Sequence, residues 1–139
     1  MGGEFRFVFY PSHYERSVEF YRHRLGFRVT GGWDRAPGNR GVLFEAAGGI
    51  IEILEGPGDP QAPHEAGPPR GGWLAIEVDD VDGAFEQIRS RGVPMVEELE
   101  DKPWGLRQYA CKDPEGHTWG FGQWIRDVAP EEWGATVGA

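Results

Sequence analysis

The sequence predicts an α+β protein: two β-α-β-β-β modules that build an open, cup-shaped eight-stranded sheet with the helices on its outer face. Three observations carry this. The first is a tight hairpin signal at Asp113-Pro114-Glu115-Gly116. There the aspartate side chain bonds its own backbone two residues on, proline presets φ, and glycine supplies a positive φ. The second is a pair of amphipathic helix patterns, each stopped by a glycine, Gly26 and Gly92. The third is an architectural repeat: Arg6 aligns with Trp73, Gly26 with Gly92 and Glu52 with Gly120, at nearly constant offset.

Taken in order, Phe5–Tyr10 reads as a strand with Phe5, Phe7 and Phe9 on the helix-packing face and Arg6, Val8 and Tyr10 on the other. Ser12 and Glu15 have capping-box form, so a helix is expected over about 13–25, with Val18, Tyr21 and Leu25 inward. Phe27–Trp33 is the next strand, and Asp34–Arg40 a polar turn. Gly41–Ala46 and Ile50–Leu54 form a hairpin around Ala47-Gly48-Gly49.

Residues 56–72, GPGDPQAPHEAGPPRGG, have no hydrophobic periodicity and read as an irregular connection, either a tether or a loop over a pocket mouth. Trp73–Val78 restarts the pattern. Asp80 caps a helix of about 81–91 with Val81, Ala84, Phe85 and Ile88 inward, and Met95–Leu99 follows. Strands over 107–112 and 117–124 flank the opening hairpin signal. The expected organisation is one domain: module one at 4–55, the connection, module two at 73–124, and a polar tail at 125–139. The tail packs on the body, packs on a partner, or stays disordered.

Composition narrows the function. At 139 residues with 39 % hydrophobic content, the chain is long enough for a real core. A net charge of −9 argues against nucleic acid as a partner. The imbalance lies in residues 71–139, with 6 Lys+Arg against 14 Asp+Glu. Cys111 is the only cysteine, the first residues lack the pattern of a secretion signal, and no apolar run reaches membrane-spanning length. A cytoplasmic protein with no membrane association is expected. Six tryptophans offer walls for a flat or apolar ligand.

Glu15-Arg16-Ser17-x-x-Phe20-Tyr21 leading to Leu25-Gly26-Phe27, then Trp104-Gly105-x-Arg107 and Asp113-Pro114-x-Gly116-His117, resemble the vicinal oxygen chelate superfamily. That superfamily includes glyoxalase I, extradiol dioxygenases, fosfomycin-resistance enzymes and bleomycin-resistance proteins, and the last branch is the most similar. The resemblance spans residues 4–124 and implies a homodimer. Its metal enzymes carry ligands at four places that map here to Arg6, Glu52, Trp73 and Gly120. Of these only Glu52 offers a metal donor, so no metal and no cofactor is expected. His13, His23, His64 and His117 show no ligand spacing, and His117 reads as a turn-side hydrogen bond.

The candidate ligand-binding residues are Arg6, Glu52, Trp73, Trp33, Trp104 and Gln108. Arg6 and Glu52 form a strand-to-strand ion pair or recognise a polar ligand, and Trp73 stacks on a ligand or fills the cup. Tyr109, Cys111, Trp119 and Phe121 are assigned to the core. The leading functional reading is a metal-free small-molecule binding protein that sequesters a cationic or aromatic ligand, as the resemblance to bleomycin-resistance proteins implies. Two alternatives stand beside it: a glyoxalase-like isomerase or lyase using Glu52, and a non-catalytic structural or regulatory module with a filled cup.

Overall fold

The computed structural model describes residues 3–56 and 71–134, without the side chains of Pro130 and Trp133. Most of the connection at 56–72, and His64 with it, lies outside the described residues. The chain forms two compact units, Met1–Arg70 with Asp113–His117, and Gly71–Lys112 with Thr118–Ala139. Each holds a four-stranded mixed sheet and one main helix, which is the α+β, two-module class that the sequence predicts.

In the first unit the strands are β1 (Arg6–Phe9), β2 (Arg28–Ala36), β3 (Asn39–Ala46) and β4 (Gly49–Leu54), in the spatial order β1-β4-β3-β2. β1 runs parallel to β4, and the others pair antiparallel. Helix α1 (Tyr14–Glu19) continues into a π-helical turn over Phe20–Arg24 rather than running as one α-helix to Leu25. The wider turn, closed by the Leu25 N–H donating to the Phe20 carbonyl at 2.9 Å, lets Phe20, Tyr21 and Leu25 all reach the core. The inward stripe is therefore Ser17, Phe20, Tyr21 and Leu25, while Val18 is only half-buried.

The helix cap also differs from expectation. His13 caps α1, its Nδ1 accepting from the Arg16 N–H, because the Ser12 hydroxyl and N–H are both spent on Glu115 at 2.8 and 2.6 Å. The expected polar turn at 34–40 shrinks to Pro37-Gly38, since β2 and β3 extend around it with Gly38 at φ 80°. Of the three phenylalanines of the first strand only Phe9 is fully buried, against Tyr21. Phe7 stacks on Phe9 at 5.1 Å, and Phe5, 74 % exposed, lies beyond the sheet.

The second unit repeats the plan. Strands β5 (Leu74–Glu77), β6 (Met95–Asp101), β7 (Leu106–Lys112) and β8 (Thr118–Trp124) lie in the order β5-β8-β7-β6, with β5 parallel to β8. Helix α2 (Val81–Ser90) starts at Asp80, whose carboxylate accepts from the Gly83 N–H at 3.1 Å. It ends in a Schellman motif, with Val93 N–H to Ile88 O and Gly92 N–H to Arg89 O. Gly26 and Gly92 both sit at φ 78°, the left-handed stop each helix requires. Register confirms the internal repeat: β1 pairs Val8 with Glu52, and β5 pairs Ala75 with Gly120, each two residues after the aligned Arg6 and Trp73.

Candidate functional site

Strand alternation gives each sheet one face against its helix and one free of it. In the first unit Phe9, Val42, Phe44, Ile51 and Ile53 pack toward Tyr21, so Arg6, Val8, Leu43, Ile50, Glu52 and Leu54 occupy the other face. Arg6 Nη1 donates to Glu52 Oε1 at 2.7 Å, and Arg6 Nη2 lies 3.4 Å from Glu4. The hydrogen bond to Glu52, then that to Glu4, raises the Arg6 guanidinium above its ordinary value. Of the two readings open for this pair, the ion pair is what the geometry displays. The Glu52 side chain is 15 % exposed, and Arg6 is the more open partner.

Trp33 lies on the same face, inside β2 and opposite Gly41 rather than at a strand end. Its indole covers Gly41 so closely that a Cβ there would overlap the ring, and the Arg35 guanidinium sits 5.4 Å from the ring centre. Glycine at 41 is thus a seat for the indole.

In the second unit Tyr109, Cys111, Trp119 and Phe121 are buried on the α2 side, as expected, with Tyr109 edge-on to Phe85 at 5.3 Å. Gln108, Ala110 and Gly120 take the opposite face. Trp73, just before β5, leans over that face and is 67 % exposed. Its Cδ1 lies 3.6 Å from where a Gly120 Cβ would be, and Gln108 Cδ lies at the same distance. So Trp73, Gln108 and Gly120 come together. Trp104 does not join them through a strand; it sits in the turn between β6 and β7.

The four positions aligned with a metal centre do not fit one. Arg6 and the Trp73 indole offer no lone pair for a metal, Gly120 has no side chain, and the Glu52 carboxylate is engaged by Arg6. Among the described residues no group of three or more His, Cys, Asp or Glu side chains gathers.

A second set of polar contacts was legible in the sequence only in its local part. Asp113, buried in its turn, accepts from the Glu115 and His117 N–H groups through Oδ1 at 3.0 and 2.8 Å, and from Tyr21 Oη through Oδ2 at 2.7 Å. His117 Nδ1 lies 2.6 Å from the same Oδ2, the turn-side hydrogen bond expected of it, while its ring packs on Phe7 and Phe9. The Asx turn was legible; the partner 92 positions away was not. Arg40 is bound by Glu55 at 2.9 and 2.5 Å and stacks on Tyr14 at 4.7 Å, at the rim of a shallow groove of about 240 Å³ against α1. Arg107 of the Trp-Gly-x-Arg motif is held by Asp101 and Asp82 at 2.7 and 3.1 Å, a structural role.

With this geometry in view, the chain belongs to the Glyoxalase/Bleomycin resistance protein/Dioxygenase superfamily, whose family model matches residues 5–121. TioX from Micromonospora sp. ML1 is 30 % identical, with a TM-score of 0.73 over 89 % of this chain and all of that one. TnmS3, an antibiotic binding protein from Streptomyces sp. CB03234, is 23 % identical and shares the fold, with a TM-score of 0.66 over 88 % of this chain and 96 % of that one. Protein Mb0911c of Mycobacterium bovis is 39 % identical over 59 residues, 42 % of this chain. The match spans only 39 % of that relative's length.

Proposed function

We propose that this chain is a small-molecule binding protein that sequesters a cationic or aromatic ligand without a metal ion. The observation that carries the reading is the Trp73 indole, two-thirds exposed at the position aligned with Arg6, leaning over a strand that carries glycine beneath it. An indole so placed offers a broad face for stacking on a ring or a cation. Arg6, Glu52, Trp33 and Gln108 add polar and aromatic groups on the helix-free faces of their own sheets. Trp104, from its turn, is the sixth ligand-binding candidate. Sequestration needs affinity and no bond making, which suits positions with so few metal donors. The presence of an antibiotic binding protein among the fold neighbours fits a small-molecule binding role.

The proposal includes a single domain, a homodimer and a cytoplasmic location. No helix among the described residues is long and apolar enough to cross a membrane. Calorimetric titration of EDTA-treated protein with bleomycin and a panel of planar cationic antibiotics tests the binding. At least one compound is expected to bind at micromolar affinity or better, with its mass unchanged afterwards. A panel without binders overturns the reading, as does stoichiometric metal in the purified protein. Consumption of a ligand, abolished in Glu52→Gln, would establish the isomerase or lyase alternative instead.

A further inference from the structure

On the second sheet, β5 pairs Glu77 with Gly122, and β7 pairs Leu106 with Trp124. Phe121, next to Gly122, is buried on the α2 side, so strand alternation puts Glu77, Gly122, Trp124 and Leu106 on the helix-free face. Leu106 Cδ1, Cγ and Cδ2 lie 3.0, 3.1 and 3.2 Å from where a Gly122 Cβ would be, so glycine is what lets this half-buried leucine lie down across β8. The Trp124 indole N–H donates to Glu77 Oε1 at 2.8 Å. An apolar floor, an indole 54 % exposed and an exposed carboxylate therefore gather around one glycine.

What sets Glu77 apart is its partner. An indole N–H is a neutral donor, and it takes up only part of what an ionised carboxylate can accept. Among the described residues Glu77 makes no ion pair. Glu52 and Glu97, also on the helix-free faces of their own sheets, are each held by a basic side chain, Arg6 and Lys102. The bond to Nε1 also keeps the Glu77 carboxylate at the pyrrole edge of the ring. A cation drawn to that carboxylate meets the exposed indole at the same point, where charge and ring both favour it. An amidinium or guanidinium suits the pair better than a compact ammonium. Its planar fork of N–H groups matches a carboxylate, it is weakly hydrated, and it lies flat on an aromatic face.

We propose that Glu77, Trp124 and Leu106 form a binding site for a flat organic cation, an amidine or guanidine carried on an apolar ring. Glu77 takes the charge, Trp124 the flat face and Leu106 the apolar body, while Gly122 makes room for Leu106. The site goes beyond the sequestration reading and does not rest on it. Trp73 lies beside Gly120, whereas Trp124 is four residues further along β8, about 13 Å of strand.

The probes are benzamidine, a flat cation on a ring, and benzamide, its neutral counterpart of the same shape. Proton–nitrogen NMR of the full chain follows the Trp124 indole N–H. Benzamidine is expected to shift that signal and to bind about fivefold more tightly than benzamide, the worth of a well-placed exposed ion pair. In Glu77→Gln the side-chain oxygen still accepts from the indole while the charge is gone, so the affinity ratio should fall to about one. Glu86→Gln removes the same charge from α2, on the other side of the sheet, and should leave the ratio as it was. Trp124→Leu should weaken benzamidine about threefold by removing the ring it lies on. A ratio unchanged in folded Glu77→Gln overturns the inference, as does an unmoved Trp124 signal or an equal loss in Glu86→Gln. Self-association of the chain that Glu77→Gln abolishes also overturns it, because the carboxylate then serves a second copy. If antibiotics bind while the probe ratio is one, only the cation-site inference falls. If the probes behave as expected and no antibiotic binds, only the sequestration reading falls.

Discussion

Two buried polar residues, Asp113 and Tyr109, face opposite problems. Asp113 is a fully covered carboxylate saturated with donors from Tyr21, His117 and two backbone N–H groups. Asp113→Ala would strand several of those donors, so a loss of about 3 kcal/mol in urea denaturation is expected. Tyr21→Phe removes one bond of the set and should cost about 1 kcal/mol. Tyr109 is the reverse case: its hydroxyl is buried without a hydrogen-bond partner among the described residues. Tyr109→Phe should therefore be neutral or stabilising by up to about 1 kcal/mol at neutral pH. Burial also pushes the Tyr109 hydroxyl far above its ordinary value of 10.0. The unfolded chain releases that proton near its ordinary pKa while the folded chain keeps it, so stability falls as pH rises beyond 10.0. Lys102 acts in the same direction. Its pKa is raised chiefly by the hydrogen bond to Glu100, with Glu97 adding to it, so its contribution is full below 10.5 and is lost as pH rises through the folded value. Urea midpoints followed from pH 8 to about 11.5 should drop at the alkaline end, and less so in Tyr109→Phe. An unchanged alkaline slope in that variant would remove Tyr109 from the account.

At the scale of strands and helices, the two glycines beside tryptophans differ in how closely each indole is seated. A Cβ at Gly41 would overlap the Trp33 ring, whereas one at Gly120 would only touch its neighbours. Gly41→Ala should cost about 2 kcal/mol through overpacking, and Gly120→Ala well under that, in the same denaturation series. Equal costs would show that the second indole is as tightly seated as the first. These elements also show where sequence reasoning works. The glycine stops, the Asp80 cap and the Asp113 turn are local chemistry, so Gly26, Gly92, Asp80 and Asp113 were readable from a few neighbours. Alternation assigned Tyr109, Cys111, Trp119 and Phe121 to the core, and the repeat put Arg6 level with Trp73. The π turn, the His13 cap and the tie from Tyr21 to Asp113 depend on what arrives from elsewhere in the chain. Ser12 has the form of a cap, and only the approach of Glu115 diverts it. Of the candidate ligand residues, strand parity put Arg6, Glu52 and Gln108 on the helix-free faces of their sheets, but nothing in the sequence distinguishes the mid-strand Trp33 from a tryptophan at a turn.

At the scale of the whole molecule, charge carries the last consequence. The chain has 23 acidic against 14 basic residues, and several of the arginines are already committed to carboxylates, Arg6 to Glu52, Arg40 to Glu55 and Arg107 to Asp101 and Asp82. Pairing of that kind leaves the excess negative charge to act on the surroundings. A cationic ligand approaching such a molecule is drawn in by the summed field, and salt shortens the reach of that field from about 30 Å at 0.01 M to about 3 Å at 1 M. Stacking on Trp73, the contact proposed above, would be short-range and depend far less on salt. The association rate of a cationic antibiotic should therefore fall about tenfold between low and high salt, while its dissociation rate changes little. Stopped-flow tryptophan fluorescence reads both rates in one titration. A neutral planar ligand should show neither effect. A salt dependence carried by dissociation would place the charge recognition inside the site, on Glu52, and Glu52→Gln measured at one ionic strength would then remove it.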